Sequence, residues 1–469
     1  MSVFAARFAG RKLGIMAALM IGVFLSPLNV SLTSVALPTM QTYFGLSVEQ
    51  VALIGTAYFL PMVVLQPLQA NLGLRFGLRR VYSFGLGLLC LGAFMAALSP
   101  SFGFLLVSRV IQGAGWSAVY PLALILIGAH FAADRQGEAM GTWESAVGLA
   151  AIIGTILGGL LLISVGWPAV YVVVGLVAAI GVLLTLLKLP RREQREPVQR
   201  FDWIGALGIT LAMLIFLVGL LRASWILIGI SLLTFALWWL HARRSERPFV
   251  DPKLLRNRGV IGASSAAAMR MILGVGVLMS LPLFLEDVQG LSPLIVGLLL
   301  SVYSIFLMLG ARPGGIWADR AGGRLPGATG FVLMTLGIAA LLLLDSQVAL
   351  LLLVAAFAVR GIGAGISQAP FAKVAIESAP ENQSGMAAGL YGTVRYSGLA
   401  LGSVLVGLVL SSRFEYHGTD GTGAAAVPAF HELFAVFVLV GIIGLGFALW
   451  MGQGKRAAVP VAIQEVSSG

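Results

Sequence analysis

One acidic side chain lies deep inside an apolar stretch of this sequence. Of nineteen Asp and Glu residues, only Glu144 is well inside such a stretch, and eight residues separate it from Gln136. At about 1.5 Å per helical residue it lies roughly 12 Å along the helix. A carboxyl group with little access to water can bind a proton in one conformation and release it in another. Glu144 is therefore a candidate proton carrier; the alternative is a static ion pair with a buried arginine.

Several other polar side chains also fall inside apolar stretches, and arginines are prominent among them. A charge at that depth is costly, so it usually faces a cavity or a partner. Unpaired arginines would favour a negatively charged or acidic amphipathic substrate, whereas arginines bonded to carbonyl groups would be structural. The candidate cavity and substrate residues are Asn29, Arg109, Gln112, Arg270, Arg360 and Arg395.

The chain that carries these residues is too apolar to be an ordinary soluble protein. It is 59% hydrophobic and 10% charged, with a mean hydropathy of +0.97, whereas a globular domain has about 25% charged residues. This composition excludes a disordered chain, a coiled coil and a disulfide scaffold. The net charge of +11 could suggest a nucleic-acid partner. Because the charges flank apolar stretches, however, a nucleic-acid partner is not expected. The single cysteine, Cys90, excludes a Cys-based metal site, and we expect neither a metal nor a cofactor.

Apolar stretches of about 20 residues or more predict fourteen membrane-spanning helices in an all-α chain. We expect an N-terminal six-helix bundle at 1–190, linkers flanking two additional helices at 191–258, a C-terminal six-helix bundle at 259–454 and a tail at 455–469. The predicted spans are 13–36, 51–72, 81–99, 102–131, 138–164 and 168–189, then the inserted pair 203–221 and 224–241, then 260–285, 292–317, 327–344, 347–371, 385–411 and 430–452.

The distribution of lysine and arginine predicts the orientation of these spans. Nearly all Lys and Arg residues outside the spans fall in loops on one side, and cytoplasmic loops carry the excess of these residues. Both termini and both long linkers are therefore predicted to be cytoplasmic, in a plasma or inner membrane. An even number of spans places both termini on the same side of the membrane, which agrees with this orientation.

The two halves of the chain resemble each other. The segment 109–117 in the fourth span matches 360–367 in the twelfth, and their Gly-Ala-Gly cores, at 113–115 and 363–365, are offset by 250 residues (363 against 113). The loop 75–80 matches 320–324 with an offset of 245 (320 against 75). A repeat of two six-helix bundles is typical of transporters whose substrate path lies between the repeats, near the membrane midplane.

The loop Gly315-Ile-Trp-Ala-Asp-Arg-Ala-Gly-Gly-Arg324 resembles a signature loop of the major facilitator superfamily, and the fourteen spans resemble its drug:proton antiporter branch. The resemblance implies a cytoplasmic gate at the ends of the second and tenth spans. The first-half copy has Leu74 where the family has an aspartate, so Asp319 is expected to carry more of the gating. The implied gate residues are Arg75, Gly77, Arg79, Arg80, Gly315, Asp319, Arg320, Gly322 and Arg324.

Two further motifs extend the resemblance. Residues 105–115 resemble the family's membrane-embedded arginine motif, which implies that Arg109 lies beside the substrate or proton path. Residues 150–159 resemble its antiporter motif, with Thr155 in place of a proline. Small residues at this spacing allow two helices to approach closely, and the packing residues are expected to be Gly154, Gly158 and Gly159.

The resemblance implies a secondary transporter that works by alternating access and exports hydrophobic or amphipathic compounds in exchange for protons. Asn29 occupies a position where the branch commonly has an aspartate, and asparagine does not titrate. An uncoupled facilitator or an exporter of lipids or organic anions therefore stays open, as does a transporter-like membrane sensor.

The four histidines lie at span ends or in loops, so an enzyme is not expected. The expected partners are the lipid bilayer, a small substrate and protons, without nucleic acid, and the chain is expected to be a monomer.

Overall fold

The computed structural model describes residues 3–190, 202–222, 224–245, 248–344, 350–380, 383–418 and 424–452. All regular elements in these ranges are helices. The predicted linker residues 191–201 and the predicted tail 455–469 lie outside the described residues, and the predicted domain limits stay predictions.

Fifteen α-helices make up the described part of the chain. The first bundle contains α1 (Val3–Phe44), α2 (Val48–Val64), α3 (Gln66–Phe76), α4 (Leu78–Ala97), α5 (Phe102–His130), α6 (Gln136–Ser164) and α7 (Pro168–Lys188). The inserted pair is α8 (Trp203–Leu221) and α9 (Trp225–Arg244). The second bundle contains α10 (Arg258–Leu283), α11 (Pro293–Ala321), α12 (Arg324–Ala339), α13 (Leu350–Glu377), α14 (Ser384–His417) and α15 (Val427–Trp450).

The prediction of fourteen spans in an all-α chain is confirmed. Among the described residues, 13 helices are long and apolar enough to cross a membrane, and α2 with α3 forms a further span that is bent by 49°. The fourth predicted span is thus α5, the fifth is α6 and the twelfth is α13. The chain is a multi-pass membrane protein.

The bend between α2 and α3 has a local cause. Pro67 has no N–H to donate to the carbonyl group of Val63 four residues earlier, and its ring clashes with a straight helix at that point. The freed Val63 carbonyl accepts a hydrogen bond from the Thr393 hydroxyl of α14 at 3.1 Å. The bend therefore exposes a backbone acceptor that connects the first bundle to the second.

The two bundles repeat the same packing. In the first, α1 packs on α6 and α7 while α4 packs on α5 and α7; in the second, α10 packs on α14 and α15 while α12 packs on α13 and α15. Each bundle also reaches across to the other, through α6 with α11 and through α3 with α14. The seam between the halves is therefore built from repeat-related pairs of helices.

The structure corrects the register of this repeat. The close approach of α4 and α5 at Gly85 and Gly115 recurs between α12 and α13 at Gly330 and Gly363. The offset from α5 to α13 is therefore 248 residues (363 against 115), not the 250 of the Gly-Ala-Gly match. Arg360 thus corresponds to Gln112 and not to Arg109. Glycines at every second position from 361 to 365 allow the two glycines of 113–115 to match at an offset of either 248 or 250.

The halves meet most closely towards one end of the bundle. This end, which carries Arg75, Arg79, Arg80, Arg320 and Arg324, is called the basic end below. Here the backbones of α6 and α11 touch at Gly137 with Gly315 and at Gly141 with Ala311, where glycine is required because a Cβ atom would collide with a carbonyl oxygen. The halves are therefore sealed at the basic end.

The inserted pair packs against both halves near the basic end. Ala206, Ile209 and Trp238 form a small apolar core with Ala387 and Leu390 of α14, and Leu68 of α3 packs against it. The inserted helices therefore lie beside the seam between the halves.

Asp202 holds the basic ends of α8 and α9 together. Its carboxylate accepts hydrogen bonds from the Gly205 N–H at 2.8 Å, the Phe249 N–H at 2.9 Å and the His241 ring at 2.8 Å. Burial acts to raise the pKa of Asp202, but these three hydrogen bonds outweigh it and hold that pKa below its ordinary value.

Candidate substrate and proton site

Glu144 lies at the seam between the two halves and is fully buried. One carboxylate oxygen accepts hydrogen bonds from the Tyr120 hydroxyl of α5 and from Arg395 Nη1 of α14, each at 2.7 Å. The other oxygen accepts a hydrogen bond from the Gln368 side-chain amide of α13. We call Tyr120, Glu144, Gln368 and Arg395 the carboxylate cluster. It joins two helices of the first bundle to two of the second.

The carboxylate cluster lies close to the axis that relates the halves. Tyr120 and Gln368 occupy equivalent positions in the repeat, with the same offset of 248 residues, yet both donate to the same carboxylate. A group bonded to both members of a related pair must lie near the axis between them. The counterpart of Glu144 itself is Gly392, and the Gln66 side chain occupies the space where a side chain of residue 392 would start. The repeat therefore places only one carboxylate at this point.

Aromatic rings surround the cluster. The Arg395 guanidinium lies over the rings of Tyr120 and Tyr396, with centroid distances of 4.5 Å and 5.1 Å. The Trp116 ring meets Tyr396 edge-on at 5.4 Å, and Tyr391 stacks on Tyr120 at 6.4 Å. Rings of this kind offer flat apolar faces and interact favourably with buried cations.

Arg109 lies in a separate network that contains only neutral partners. Its Nη1 donates to the side-chain oxygens of Asn29 and Gln112, both at 2.9 Å, and its Nε donates to the Ile54 carbonyl at 3.2 Å. Asn29 donates in turn to Gln112 at 2.9 Å. The guanidinium also lies 4.5 Å from the centroid of the Tyr58 ring. Asn29, Arg109 and Gln112 are thus brought together as one buried cluster.

Arg360 is held by backbone groups. Its Nη2 donates to the carbonyl oxygens of Leu273 and Gly274, at 2.9 Å and 3.2 Å, and its guanidinium lies 4.4 Å from the centroid of the Tyr303 ring. This arrangement matches the structural role weighed for the buried arginines.

Arg270 is close enough to the carboxylate cluster to interact electrostatically with Glu144 and Tyr391. Its side chain is 5% exposed, and its Nε and Nη2 atoms have no hydrogen-bond partner among the described residues. The structure thus assembles two of the six candidate residues, Arg270 and Arg395, around Glu144.

The predicted gate residue Asp319 joins the two halves at the basic end. Its carboxylate oxygens accept hydrogen bonds from the backbone N–H groups of Gly137 and Glu138, each at 2.8 Å, at the N-terminus of α6. It also forms an ion pair with the buried Lys373 of α13. At the repeat-related position, Leu74 packs against Gly385 at the start of α14. One seam contact is therefore ionic and its counterpart is apolar.

The remaining predicted gate residues surround these contacts. Gly77 and Gly322 adopt φ angles of 101° and 76° at the ends of α3 and α11, a backbone region that favours glycine. Arg79 donates to the Leu186 carbonyl of α7. The side chains exposed at this end include Arg80, Arg320 and Arg324. Gly315 faces Gly137 across the seam.

The glycines of the fifth span differ in their surroundings. A Cβ atom on Gly154 would lie 2.8 Å from the Ser31 Cβ atom of α1, and one on Gly158 would lie 3.4 Å from Leu32. A Cβ atom on Gly159 would meet nothing within 4 Å in the described part of the chain. The close approach of α6 to α1 therefore involves Gly154 and Gly158.

Sequence reasoning missed Tyr120, Gln368 and Lys373. Tyr120 and Gln368 carry no charge, and Lys373 follows the end of the predicted span 347–371. The correct repeat offset of 248 residues would have paired Tyr120 with Gln368, but the glycine pattern hid it. Among the described residues, no group of three His, Cys, Asp or Glu side chains could hold a metal ion.

Comparison with known proteins identifies the family. Residues 19–403 match the Major Facilitator Superfamily. The riboflavin transporter RibZ of Clostridioides difficile is 26% identical over 91% of this chain and 94% of its own length. The multidrug resistance protein Stp of Mycobacterium tuberculosis is 28% identical over 84% of this chain and 74% of its own length.

A solved structure shows the same fold. The crystal structure of the human organic anion transporter MFSD10 (TETRAN) superposes with a TM-score of 0.65 at 18% identity, covering 93% of this chain and 99% of that one. At this identity the likeness concerns the fold alone. Together, the repeated bundles, the sealed basic end and the match over 19–403 show that the chain is a transporter, not an enzyme, and belongs to the Major Facilitator Superfamily.

Proposed function

We propose that this protein exports hydrophobic or amphipathic compounds by alternating access and that transport is coupled to protons through Glu144. The relatives include a multidrug resistance protein, which supports export. The aromatic rings around the carboxylate cluster provide the apolar faces that such compounds would contact.

The observation that carries the proposal is the position of Glu144. Its carboxylate accepts hydrogen bonds from side chains of both halves, so rocking of the halves must break some of them. A buried carboxylate that loses its donors binds a proton more readily. Protonation of Glu144 and movement of the halves are therefore linked. One proton moving down the membrane potential supplies about 2.3 kcal/mol per 100 mV.

The other candidate residues contribute to the same proposal in different ways. Arg109 with Asn29 and Gln112 would shape the wall of the path, because none of its partners titrates. Asp319 and the basic residues around it would form the cytoplasmic gate. Gly154 and Gly158 would allow α6 to pivot on α1.

The proposed setting is the cell membrane, with the basic end and both termini in the cytoplasm and the protein acting as a monomer in lipid. The excess of Lys and Arg on one side supports this orientation. An uncoupled facilitator of the same fold is the alternative, since Asn29 cannot carry a proton.

The test is a flux assay on the reconstituted full-length protein. Proteoliposomes are loaded with riboflavin or a lipophilic fluorescent dye, a pH gradient is imposed, and both compound flux and internal pH are recorded. Glu144→Gln is expected to abolish compound-dependent proton movement because glutamine does not titrate. The matched control is Glu415→Gln, at an exposed carboxylate, which should behave as wild type.

Compound flux in the wild-type protein that does not depend on the pH gradient would support the facilitator and contradict proton coupling. Proton coupling that survives in Glu144→Gln would show that another group carries the proton. Absence of flux for every compound would contradict the proposed export.

A further inference from the structure

Arg270 has the least satisfied of the buried guanidinium groups. Two of its nitrogen atoms, Nε and Nη2, are buried without a hydrogen-bond partner among the described residues, whereas Arg360 and Arg395 each have one such buried nitrogen, Nε. With the Arg270 side chain 5% exposed, water reaches it poorly. A buried donor without an acceptor is expensive, so the group is expected to have a partner that the chain itself does not supply.

The charges near the carboxylate cluster do not balance. Arg270 and Arg395 both interact with Glu144, but only Arg395 forms an ion pair with it, at 2.7 Å. Farther away, Arg109 and Arg360 have neutral partners. Among the described residues, four buried guanidinium groups thus accompany a single buried carboxylate, Glu144, in the membrane-spanning core. An additional anion would offset part of this positive charge.

The surroundings of Arg270 limit what this anion can be. Tyr391 and Tyr396 interact electrostatically with Arg270, and their rings contact Tyr120 and Trp116 at 6.4 Å and 5.4 Å. A ligand that reaches the guanidinium would therefore lie among aromatic rings. This chemistry fits a flat apolar body with one anionic group.

We propose that Arg270 binds the anionic group of an amphipathic aromatic acid, which is the substrate class of this transporter. The proposal rests on the proposed function, because it assigns a charge to the exported compound. The aromatic body packs on the partly exposed ring of Tyr396, and the acid group accepts hydrogen bonds from the guanidinium of Arg270.

The proposal predicts how anion binding depends on pH. The titratable or charged groups that face Glu144 are Tyr120 of α5, Arg270 of α10, and Tyr391, Arg395 and Tyr396 of α14. A proton on Glu144 cancels the only negative charge among them and releases Arg395. An anion then binds more tightly, so the affinity for an anionic compound is expected to be higher when Glu144 is protonated.

The test uses three probes that share one ring system. Naphthalenesulfonate is anionic at every pH used, naphthalenesulfonamide is neutral, and naphthylmethylamine is cationic. Binding to the full-length protein in lipid nanodiscs is followed through tryptophan fluorescence. The sulfonate is expected to bind about tenfold more tightly than the sulfonamide, the size of a charge-assisted hydrogen bond, and its affinity is expected to rise as the pH falls.

Two variants separate charge recognition from a structural role. Arg270→Gln should lose about tenfold in sulfonate affinity while its sulfonamide affinity stays unchanged, and Arg270→Lys should retain part of the preference. Equal affinity for sulfonate and sulfonamide in wild type, a preference for the amine, or an equal loss for all probes in Arg270→Gln would overturn the proposal. So would sulfonate affinity that falls as the pH falls.

The same proteins in the flux assay distinguish this inference from the proposed function. One outcome is that Glu144→Gln uncouples compound flux from protons while the wild-type protein shows no preference for the sulfonate. That outcome overturns the anion site and leaves proton-coupled export standing. A sulfonate preference that depends on Arg270, without flux of any compound, supports the anion site and contradicts export.

Discussion

Arg109 lies inside the bilayer without a carboxylate partner among the described residues. Asn29, Gln112 and the Ile54 carbonyl supply oxygen atoms that accept its hydrogen bonds, and the Tyr58 ring covers one face of its guanidinium. None of these acceptors changes its charge between pH 5 and 9, because amides and carbonyl groups do not titrate. The role of Arg109 is therefore expected to be independent of pH, in contrast to that of Glu144.

At the scale of single residues, Asn29→Ala is expected to lower the free energy of unfolding without changing proton coupling. The substitution removes an acceptor from Arg109 Nη1 and the donor to Gln112, both at 2.9 Å. Loss of buried partners of this kind costs about 1–3 kcal/mol. The measurement is the thermal unfolding midpoint in detergent, combined with the flux assay.

The matched control is Thr33→Val, which removes only a 3.3 Å hydrogen bond to Asn29 and should have a smaller effect. Loss of proton coupling in Asn29→Ala, with stability unchanged, would show that the Arg109 network takes part in proton transfer.

The helices at the seam form two contacts that are related by the repeat but differ in chemistry. The α11–α6 contact has Asp319 at a helix N-terminus, where a carboxylate accepts free N–H groups and interacts favourably with the helix dipole. The α3–α14 contact has Leu74 against Gly385 instead. The ionic contact is the more specific of the two, because it requires the N-terminus of α6 in one position.

At the scale of helices, Leu74→Asp is expected to stabilise the sealed basic end. The new carboxylate would face the N-terminus of α14 as Asp319 faces that of α6, and a helix cap contributes about 1 kcal/mol. That energy corresponds to about fivefold in the equilibrium between sealed and open states. Spin labels placed on α3 and α14 at this end should show a larger population at short distance, and transport should slow by a similar factor.

Leu74→Asn serves as the control of similar size without a full charge, and its effect should be smaller. Asp319→Asn should act in the opposite direction, because it removes the ion pair with Lys373. A shift of Leu74→Asp towards the open state would contradict the assignment of this contact as part of the seal.

The whole molecule is sealed at the basic end, and the buried carboxylate cluster lies at the same seam. The close backbone contacts of α6 continue from Gly137 and Gly141 to Gly148, where a Cβ atom would lie 2.7 Å from the Ser304 carbonyl oxygen. Glu144 lies between the last two of these glycines. Opening of the basic end must therefore separate the groups that surround Glu144.

At the scale of the whole molecule, impermeant maleimide labelling of intact cells should reveal the orientation. Cys90 is the only cysteine, so Cys90→Ser yields a cysteine-free background. Tyr416→Cys, at a side chain 74% exposed at the end opposite the basic end, should be labelled from outside. Asp134→Cys, in the exposed 3₁₀ turn before α6, should react only after permeabilisation. The reverse pattern would invert the proposed direction of transport.

The amino-acid sequence alone determined the number of spans, the pairing of two bundles around an inserted pair, and the family. These features are local or repeated. An apolar stretch long enough to cross a bilayer can be recognised in the sequence because its length and composition do not depend on what it packs against. The sequence also singled out Glu144 and the buried arginines, because a charge in an apolar stretch is conspicuous.

The tertiary structure decided which of these charges meet. Partners across a helical bundle depend on how far each helix is rotated and shifted along its neighbour, and hydropathy does not encode either quantity. Arg360 corresponds to Gln112, three residues along the helix from Arg109 (112 against 109), so the two arginines lie in different surroundings. Only the packing of α5, α6, α13 and α14 brings Tyr120, Gln368 and Arg395 to one carboxylate, while Arg270 is left with two nitrogen atoms that no described residue satisfies.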